Sequence, residues 1–273
     1  MQRVINRRPD RLGRIVLGAL PFIIAAGLYL VFSALRLADN PNDKLLPSLA
    51  SLGDGIARFA WQRDKMSGDI LLWTDTWWSL RRMALGLSLA TLTGLVFGIA
   101  NGLIPYMRAS LQPLVNVICV IPPMAVLPIL FIVFGLEETS KVALIMIGVT
   151  PFLMRDLALR VEDLPNEQLI KAQTLGASTW QIILRIVLPQ VLPRLIDGVR
   201  LSLGPAWLFL IAAEAIAAQN GLGFRIFLVR RYLSMDVILP YVAWITFLAA
   251  LSDYLLRLLS RRLFPWVAAG RGR

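Results

Sequence analysis

Histidine is absent from the 273 residues of the chain, and cysteine occurs once, as Cys119. Without histidine there is no imidazole for acid–base catalysis or metal binding, and a single thiol forms no disulfide within the chain. The phosphate-binding pattern Gly-x-x-x-x-Gly-Lys-Ser/Thr is also missing, so the chain does not hydrolyse ATP by that route. These absences exclude most enzyme classes, and we expect this chain to bind no metal or cofactor.

Charged residues are scarce, at 16% of the chain, whereas 57% of the residues are hydrophobic and the mean hydropathy is +0.67. A soluble domain of this size exposes far more polar surface, so the composition predicts a membrane protein with several spans. The formal net charge is +11. The arginines lie between and beside apolar segments and not on one basic face, so anionic lipid explains them and nucleic acid is not expected as a partner.

Six apolar segments are long enough to cross a bilayer. They are residues 15–36, 82–104, 111–134, 140–157, 196–218 and 236–259. The first follows several arginines, but it is too long for the apolar part of a signal peptide, and we interpret it as an uncleaved span. Arginines concentrated near both termini predict that both ends lie in the cytoplasm.

A polar stretch between the fourth and fifth segments carries the signals of two helices joined by a tight turn. Pro165 stops the preceding segment, Asn166 is a suitable N-cap, and Glu167 lies in the first turn, where the helix dipole favours an acid. The first helix is predicted to run to Leu175, because Gly176 suits the left-handed conformation that ends helices.

The second helix is predicted to begin at Ser178, because Gln181 three residues later completes a capping box. It carries Trp180 among several apolar residues, and Pro189 is predicted to lie beyond its end. From these signals alone, the two helices are either an amphipathic hairpin on a membrane surface or a docking element for another protein.

The spacing in this stretch resembles the EAA loop of the inner-membrane permeases of ABC importers: Glu-Ala-Ala, three residues, glycine, nine residues, Ile-x-Leu-Pro. Nine residues separate Gly176 from Ile186, which begins Ile-Val-Leu-Pro at 186–189, so these positions match in register. The triplet instead reads Ile-Lys-Ala at 170–172, with Glu167 one turn earlier. The Pro-Pro-x-x-x-x-Pro run at 122–128 resembles the branch that handles nitrate, sulfonates and taurine.

This resemblance implies a type I importer fold, all α, with about six transmembrane helices and a cytoplasmic coupling helix, in the inner membrane of a bacterium. It implies as partners an ATP-binding subunit that hydrolyses the ATP, a soluble solute-binding protein, a second copy of the permease and the lipid bilayer. The residues expected to couple to the ATP-binding subunit are Asn166, Glu167, Lys171, Ala172, Gly176, Ala177, Trp180 and Pro189.

Three parts are expected along the chain. Residues 1–75 comprise an N-terminal tail, the first span and a periplasmic segment whose tryptophans form either an interfacial belt or an aromatic box for solute. Residues 76–262 are the permease core, with the EAA-like loop at 162–189, and residues 263–273 are a basic cytoplasmic tail. Small residues that recur every fourth position predict a face for close helix packing. They are Gly86, Ala90, Gly94, Gly98 and Gly102.

Two features of the core are candidates for the translocation pathway. Pro122, Pro123 and Pro128, together with Met124, make the third span either a broken helix that faces a path or a kink absorbed by packing. Glu214 is an ionisable group in the fifth span, and it either lines the path or is solvated near the outer boundary.

The solute is the least determined part of the interpretation. The runs at 41–47 and 229–233 resemble a sub-branch that accompanies urea- or guanidine-using carboxylases, which predicts a small nitrogen compound; a sulfonate, taurine or nitrate is the other candidate. An alternative function is ion-coupled secondary transport through Glu214, although the intramembrane carboxylates are isolated. Asp253, with Arg257 one turn later, is expected to form a structural ion pair.

Overall fold

The computed structural model describes residues 9–266, apart from 42 and 66. This part of the chain contains helices and no strand, which confirms the all-α prediction. The predictions made for residues 1–8 and 267–273 lie outside the described residues. The helices are α1 (Arg11–Asp39), α2 (Leu49–Trp61), α3 (Leu71–Leu103), α4 (Pro105–Val120), α5 (Pro123–Phe134), α6 (Glu138–Glu162), α7 (Asn166–Thr174), α8 (Thr179–Ala217), α9 (Leu222–Arg230) and α10 (Met235–Leu263).

Five of these helices are long and apolar enough to cross a membrane, and the bent pair α4–α5 brings the count to six. The prediction of about six spans agrees with that count, and the third span, expected to be either broken or kinked by its prolines, is broken into two helices. α4 and α5 meet at 99°, because Pro122 and Pro123 supply no backbone N–H and the residue before a proline is restricted to extended conformations. Ile121 accordingly has φ −70° and ψ 121°.

The second span is longer than predicted, since α3 begins at Leu71 and not at residue 82. The predicted span began at residue 82 because the charged side chains of Arg81 and Arg82 lower the hydropathy there. The helix itself includes both arginines and begins ten residues before Arg81. The predicted boundary between residues 75 and 76 therefore falls inside the first turns of α3.

The core of the bundle is formed by α3, α6 and α8. The small-residue face of α3 packs closely against another helix, as predicted, and that helix is α6: a Cβ atom at Gly98 would lie 2.8 Å from Leu157 Cβ, and one at Gly94 would lie 2.8 Å from Leu153 Cβ. Ala90 has no exposed surface. Because the two backbones approach this closely, α3 and α6 pack as one unit.

The second helix of the polar stretch does not stop before Pro189. It continues as α8 to Ala217, and its residues Ile183–Val187 form a π-helical turn. A π turn hydrogen-bonds to a residue five positions back, as Leu188 N–H does to the Ile183 carbonyl at the end of this turn. The wider turn ends at Val187, two residues before Pro189, which has no N–H to donate, and the helix passes through the proline.

Candidate functional site

The hairpin, defined here as α7, the turn 175–178 and the first turn of α8, has the local structure that the sequence signals. Gly176 has φ 79°, as predicted, and both bonds of the capping box are present: Gln181 N–H donates to Ser178 Oγ at 3.3 Å, and Ser178 N–H donates to Gln181 Oε1 at 2.8 Å. The prediction of Asn166 as N-cap is wrong, because Pro165 occupies that position without a side-chain cap bond. α7 ends at Thr174, one residue earlier than predicted.

The two faces of the hairpin differ. Ala172 and Ala177 are partly buried and pack against the core. On the other face Ile170, Leu175 and Trp180 are 58%, 79% and 66% exposed, although they are apolar. Of the five remaining predicted coupling residues, Pro189 is partly buried and four are exposed, namely Asn166, Glu167, Lys171 and Gly176. The structure thus brings this set together at one end of the bundle and presents an apolar, solvent-accessible face there.

A network of charged side chains lies at the opposite end, where α3 and α6 begin and α8 ends. At its centre is Glu214, no part of which is exposed. The carboxylate accepts hydrogen bonds from Arg82 Nη1 at 2.7 Å, from Ser79 Oγ at 2.8 Å and from the Gly223 backbone N–H at 2.9 Å. Arg82 also donates to both oxygens of Glu138, through Nε at 2.5 Å and Nη2 at 2.8 Å. Every oxygen of Glu214 is therefore occupied by partners within the chain.

Further pairs extend this network to α9 and α10. Lys141 donates to Glu138 at 3.0 Å, and the fully buried Asp75 accepts from Arg225 at 2.8 Å and from the Tyr241 hydroxyl at 3.3 Å. Burial by itself lowers the pKa of Arg225, but the hydrogen bonds and charge of Asp75 outweigh it and hold that pKa above its ordinary value. The charge network consists of three acids and three bases, namely Asp75, Glu138, Glu214, Arg82, Lys141 and Arg225.

Sequence reasoning found only Glu214 of this network. The missed signal was that Asp75, Arg82 and Lys141 also lie within or beside apolar segments, where an unpaired charge is costly and acids and bases in equal numbers indicate pairing. Since Glu214 has no exposed surface, its position does not favour the predicted pathway role. The ion pair predicted for Asp253 and Arg257 is confirmed at 2.9 Å.

The predicted pathway residues of the third span lie around the bend between α4 and α5. Pro122 and Pro128 are exposed, and Met124 is partly buried against the core. Pro123 lines a cavity of about 560 Å³ that the bend forms together with α6 and α8. Glu214 lies elsewhere, in the charge network, so the structure does not bring these candidates together.

Comparison with known proteins identifies relatives over most of the chain. Residues 90–267 match the family model described as "Binding-protein-dependent transport system inner membrane component". The taurine transport system permease protein TauC of Escherichia coli (strain K12) is 41% identical over 199 residues, which are 72% of each chain. The putative aliphatic sulfonates transport permease protein SsuC of Bacillus subtilis (strain 168) is 30% identical over 188 residues, 69% of this chain and 68% of that one.

A third relative is the nitrate import permease protein NrtB of Synechococcus elongatus (strain ATCC 33912 / PCC 7942 / FACHB-805), 32% identical over 148 residues, 54% of this chain and 53% of that one. Among solved structures, an inward-facing MetNI methionine ABC transporter superposes with a TM-score of 0.60 at 20% identity, covering 71% of this chain and 94% of the other. A bacterial alginate ABC transporter in complex with an alginate pentasaccharide-bound periplasmic protein gives 0.61 at 13% identity, covering 93% and 99%. These two structures share the fold.

Proposed function

The chain belongs to the family of binding-protein-dependent transport system inner membrane components, and we propose that it carries a small oxyanion solute across the membrane as the permease subunit of an ATP-driven importer. Membership makes it an ABC transporter permease and not an enzyme. The observation that carries the proposal is the hairpin, which has the register of the EAA loop and an exposed apolar face at one end of the bundle.

The proposed partner at the hairpin is a separate ATP-binding subunit. Ile170, Leu175 and Trp180 together offer an apolar surface that gains free energy when a protein groove covers it. Gln168 Oε1 accepts a hydrogen bond from Gln190 Nε2 at 3.1 Å, and Leu169 packs on the core, so a push on α7 is transmitted to α8. We propose that α7 acts in this way as the coupling helix on the cytoplasmic side.

The proposed solute class follows the relatives, whose names refer to taurine, aliphatic sulfonates and nitrate. These are solutes with a sulfonate or nitrate oxyanion. The urea- or guanidine-like alternative loses its structural argument, since Glu214, the acid that would meet a cation, is paired with Arg82 and buried. The ion-coupled alternative through Glu214 loses its basis for the same reason.

The further assembly is proposed from the family and from exposed apolar surface. None of the most apolar part of α1 is buried within the chain, and Ile132 of α5 is 85% exposed, so lipid or a second copy of the chain must cover these faces. We propose a homodimer in the bacterial inner membrane, with both termini in the cytoplasm and a soluble binding protein delivering solute at the end that carries the charge network.

The test compares two glycines in the same backbone conformation. Gly176 in the hairpin has φ 79° and Gly68 in the loop before α3 has φ 72°, and a Cβ atom at either position would meet no atom of the described residues within 4 Å. Replacing either glycine by aspartate therefore imposes a similar backbone strain of about 1–2 kcal/mol. We expect Gly176→Asp to abolish uptake while the protein remains inserted, and Gly68→Asp to retain uptake.

The measurement is co-purification with the ATP-binding subunit, followed by ATP hydrolysis and solute uptake in the reconstituted complex. Weakened association or uncoupled hydrolysis in Gly176→Asp alone supports the hairpin as the coupling element. Wild-type uptake by Gly176→Asp at normal expression, or equal defects in both variants, would remove the coupling assignment.

A further inference from the structure

The bend between α4 and α5 forms, together with α6 and α8, an open cavity that neither the hairpin nor the charge network uses. Its volume of about 560 Å³ lies within the range of about 300–1,000 Å³ that is typical of small-molecule sites. Phe209 of α8 forms part of the wall, and it fits there because α6 has Gly148 opposite, where a Cβ would lie 2.5 Å from the ring. The cavity is about 15–25 Å along α6 from its first residue, within the membrane-spanning length.

Among the described residues that line the cavity, Arg155 of α6 is the one with a charged side chain, and most of the others are apolar. Within the described part of the chain, this guanidinium makes no hydrogen bond and no ion pair. Its neighbours differ: Arg160 is paired with Asp156 at 3.5 Å, and Arg108 with Glu162 at 3.2 Å. Arg155 is therefore a cation left without an acid in a membrane-embedded helix where the surrounding arginines are paired.

We propose that this cavity is a transient site for the transported solute, in which Arg155 binds the oxyanion group and the apolar wall accommodates the carbon chain. The inference rests on the proposed function and deepens it by assigning a residue to solute passage. A guanidinium presents two parallel N–H donors that match two oxygens of a sulfonate. An anion that enters the cavity pairs with a guanidinium that is exposed there and has no acidic partner among the described residues.

The same geometry favours rapid release of the solute over tight binding. One cation in an apolar wall offers few hydrogen bonds, so the bound anion leaves readily, as a transport site requires. A guanidinium ion would be repelled by Arg155, and urea would gain no charge pairing there. The site thus selects small organic sulfonates and related oxyanions over urea- or guanidine-like compounds.

The chain supplies its own probe, because Cys119, its single cysteine, lines this cavity and is exposed. We would assemble the chain with its ATP-binding subunit in phosphatidylcholine nanodiscs and measure the alkylation rate of Cys119 by the uncharged reagent N-ethylmaleimide. Ethanesulfonate should slow alkylation, and ethanesulfonamide, its uncharged analogue of similar size, should not. Arg155→Gln should raise the ethanesulfonate concentration needed for half protection about tenfold, and Arg155→Lys by less.

The control is Arg261→Gln, a change at an exposed arginine near the end of α10 that does not line this cavity; protection should be as in the wild type. A lipid headgroup is the competing source of an oxyanion, so the assay is repeated with phosphatidylglycerol in the nanodisc. Protection by phosphatidylglycerol without any effect of ethanesulfonate overturns the proposal in favour of a lipid contact. Protection by ethanesulfonate that is unchanged in Arg155→Gln also overturns it.

Uptake separates this inference from the proposed function. With binding protein and ATP present, Arg155→Gln should lower the maximal rate of sulfonate uptake while the complex still assembles and hydrolyses ATP. If the wild-type complex imports no sulfonate or nitrate, the proposed function fails, whatever Cys119 reports. If the wild type imports sulfonate and Arg155→Gln does so equally fast, the Arg155 site fails and the proposed function stands.

Discussion

Arg82→Met tests whether the charge network holds the bundle together. Arg82 is 2% exposed, and Glu214, which it meets at 2.7 Å, is 0% exposed. Methionine retains most of the length of the arginine side chain and removes its charge. The carboxylate of Glu214 then keeps only neutral donors, Ser79 and the Gly223 N–H, so an uncompensated charge stays buried.

The expected loss of stability has two parts, one for each acid that pairs with Arg82. Removing one partner of a buried ion pair costs about 3–5 kcal/mol, which applies to Glu214. Glu138 has a side chain that is 48% exposed and keeps Lys141, so its share is at most about 1 kcal/mol. The total of about 3–6 kcal/mol is a large part of the stability of an ordinary domain. The double variant Arg82→Met/Glu214→Met should lose less than Arg82→Met alone, since it leaves no orphan charge at Glu214.

The assay is unfolding of the purified chain by sodium dodecyl sulfate in mixed micelles, followed by tryptophan fluorescence. Arg200→Met is the matched control, because Arg200 also joins two helices through Asp253, at 2.8 Å, but both side chains are partly exposed, at 21% and 33%. It should lose about 1 kcal/mol. The reasoning is refuted if Arg82→Met costs no more than Arg200→Met, or if the double variant is less stable than Arg82→Met.

The remaining predictions use the same unfolding assay or hydrogen exchange. Gly98→Ala should destabilise by about 1–3 kcal/mol through overlap with Leu157, whereas Gly204→Ala, in α8 with open space around it, should cost nothing; equal effects contradict the packing argument. Gly221→Ala should be more harmful than Gly98→Ala, because φ is 126° and the new Cβ would lie 2.5 Å from the Glu214 carboxyl carbon. Ser178→Ala should cost about 1 kcal/mol and speed amide exchange at the start of α8; unchanged exchange would show that the cap is dispensable.

Features set by neighbouring residues were predictable from the sequence. The turn at Gly176 and the capping box at Ser178 each depend on residues within a few positions, and both are present. The small-residue face of α3 was also predictable, because residues spaced four apart lie on the same side of a helix. The repeat did not indicate which helix would pack against this face, because the contact between Gly98 and Leu157 joins segments that are distant in the sequence.

Features set by distant residues were not predictable. Arg82 and Glu214 are 132 positions apart, and hydropathy alone treats a paired and an unpaired arginine alike, so the start of α3 was placed too late. The end of the helix at Pro189 was misplaced for a different reason. A proline normally interrupts the hydrogen-bond ladder, and the π turn at Ile183–Val187 that accommodates it here leaves no recognisable signal in a single sequence.

The continuity of α8 has a mechanical consequence. The capping box at Ser178 fixes its first turn to the hairpin, and Glu214 fixes its last turn to α3 through Arg82. One helix therefore joins the apolar face of the hairpin to the charge network, and a displacement of α7 reaches the network through α8. The π turn and the three internal prolines, Pro189, Pro193 and Pro205, are the places where its backbone ladder is weakest. Bending at these places would tilt the part of α8 that carries Phe209, the wall of the Arg155 cavity, without breaking the buried ion pair at its end.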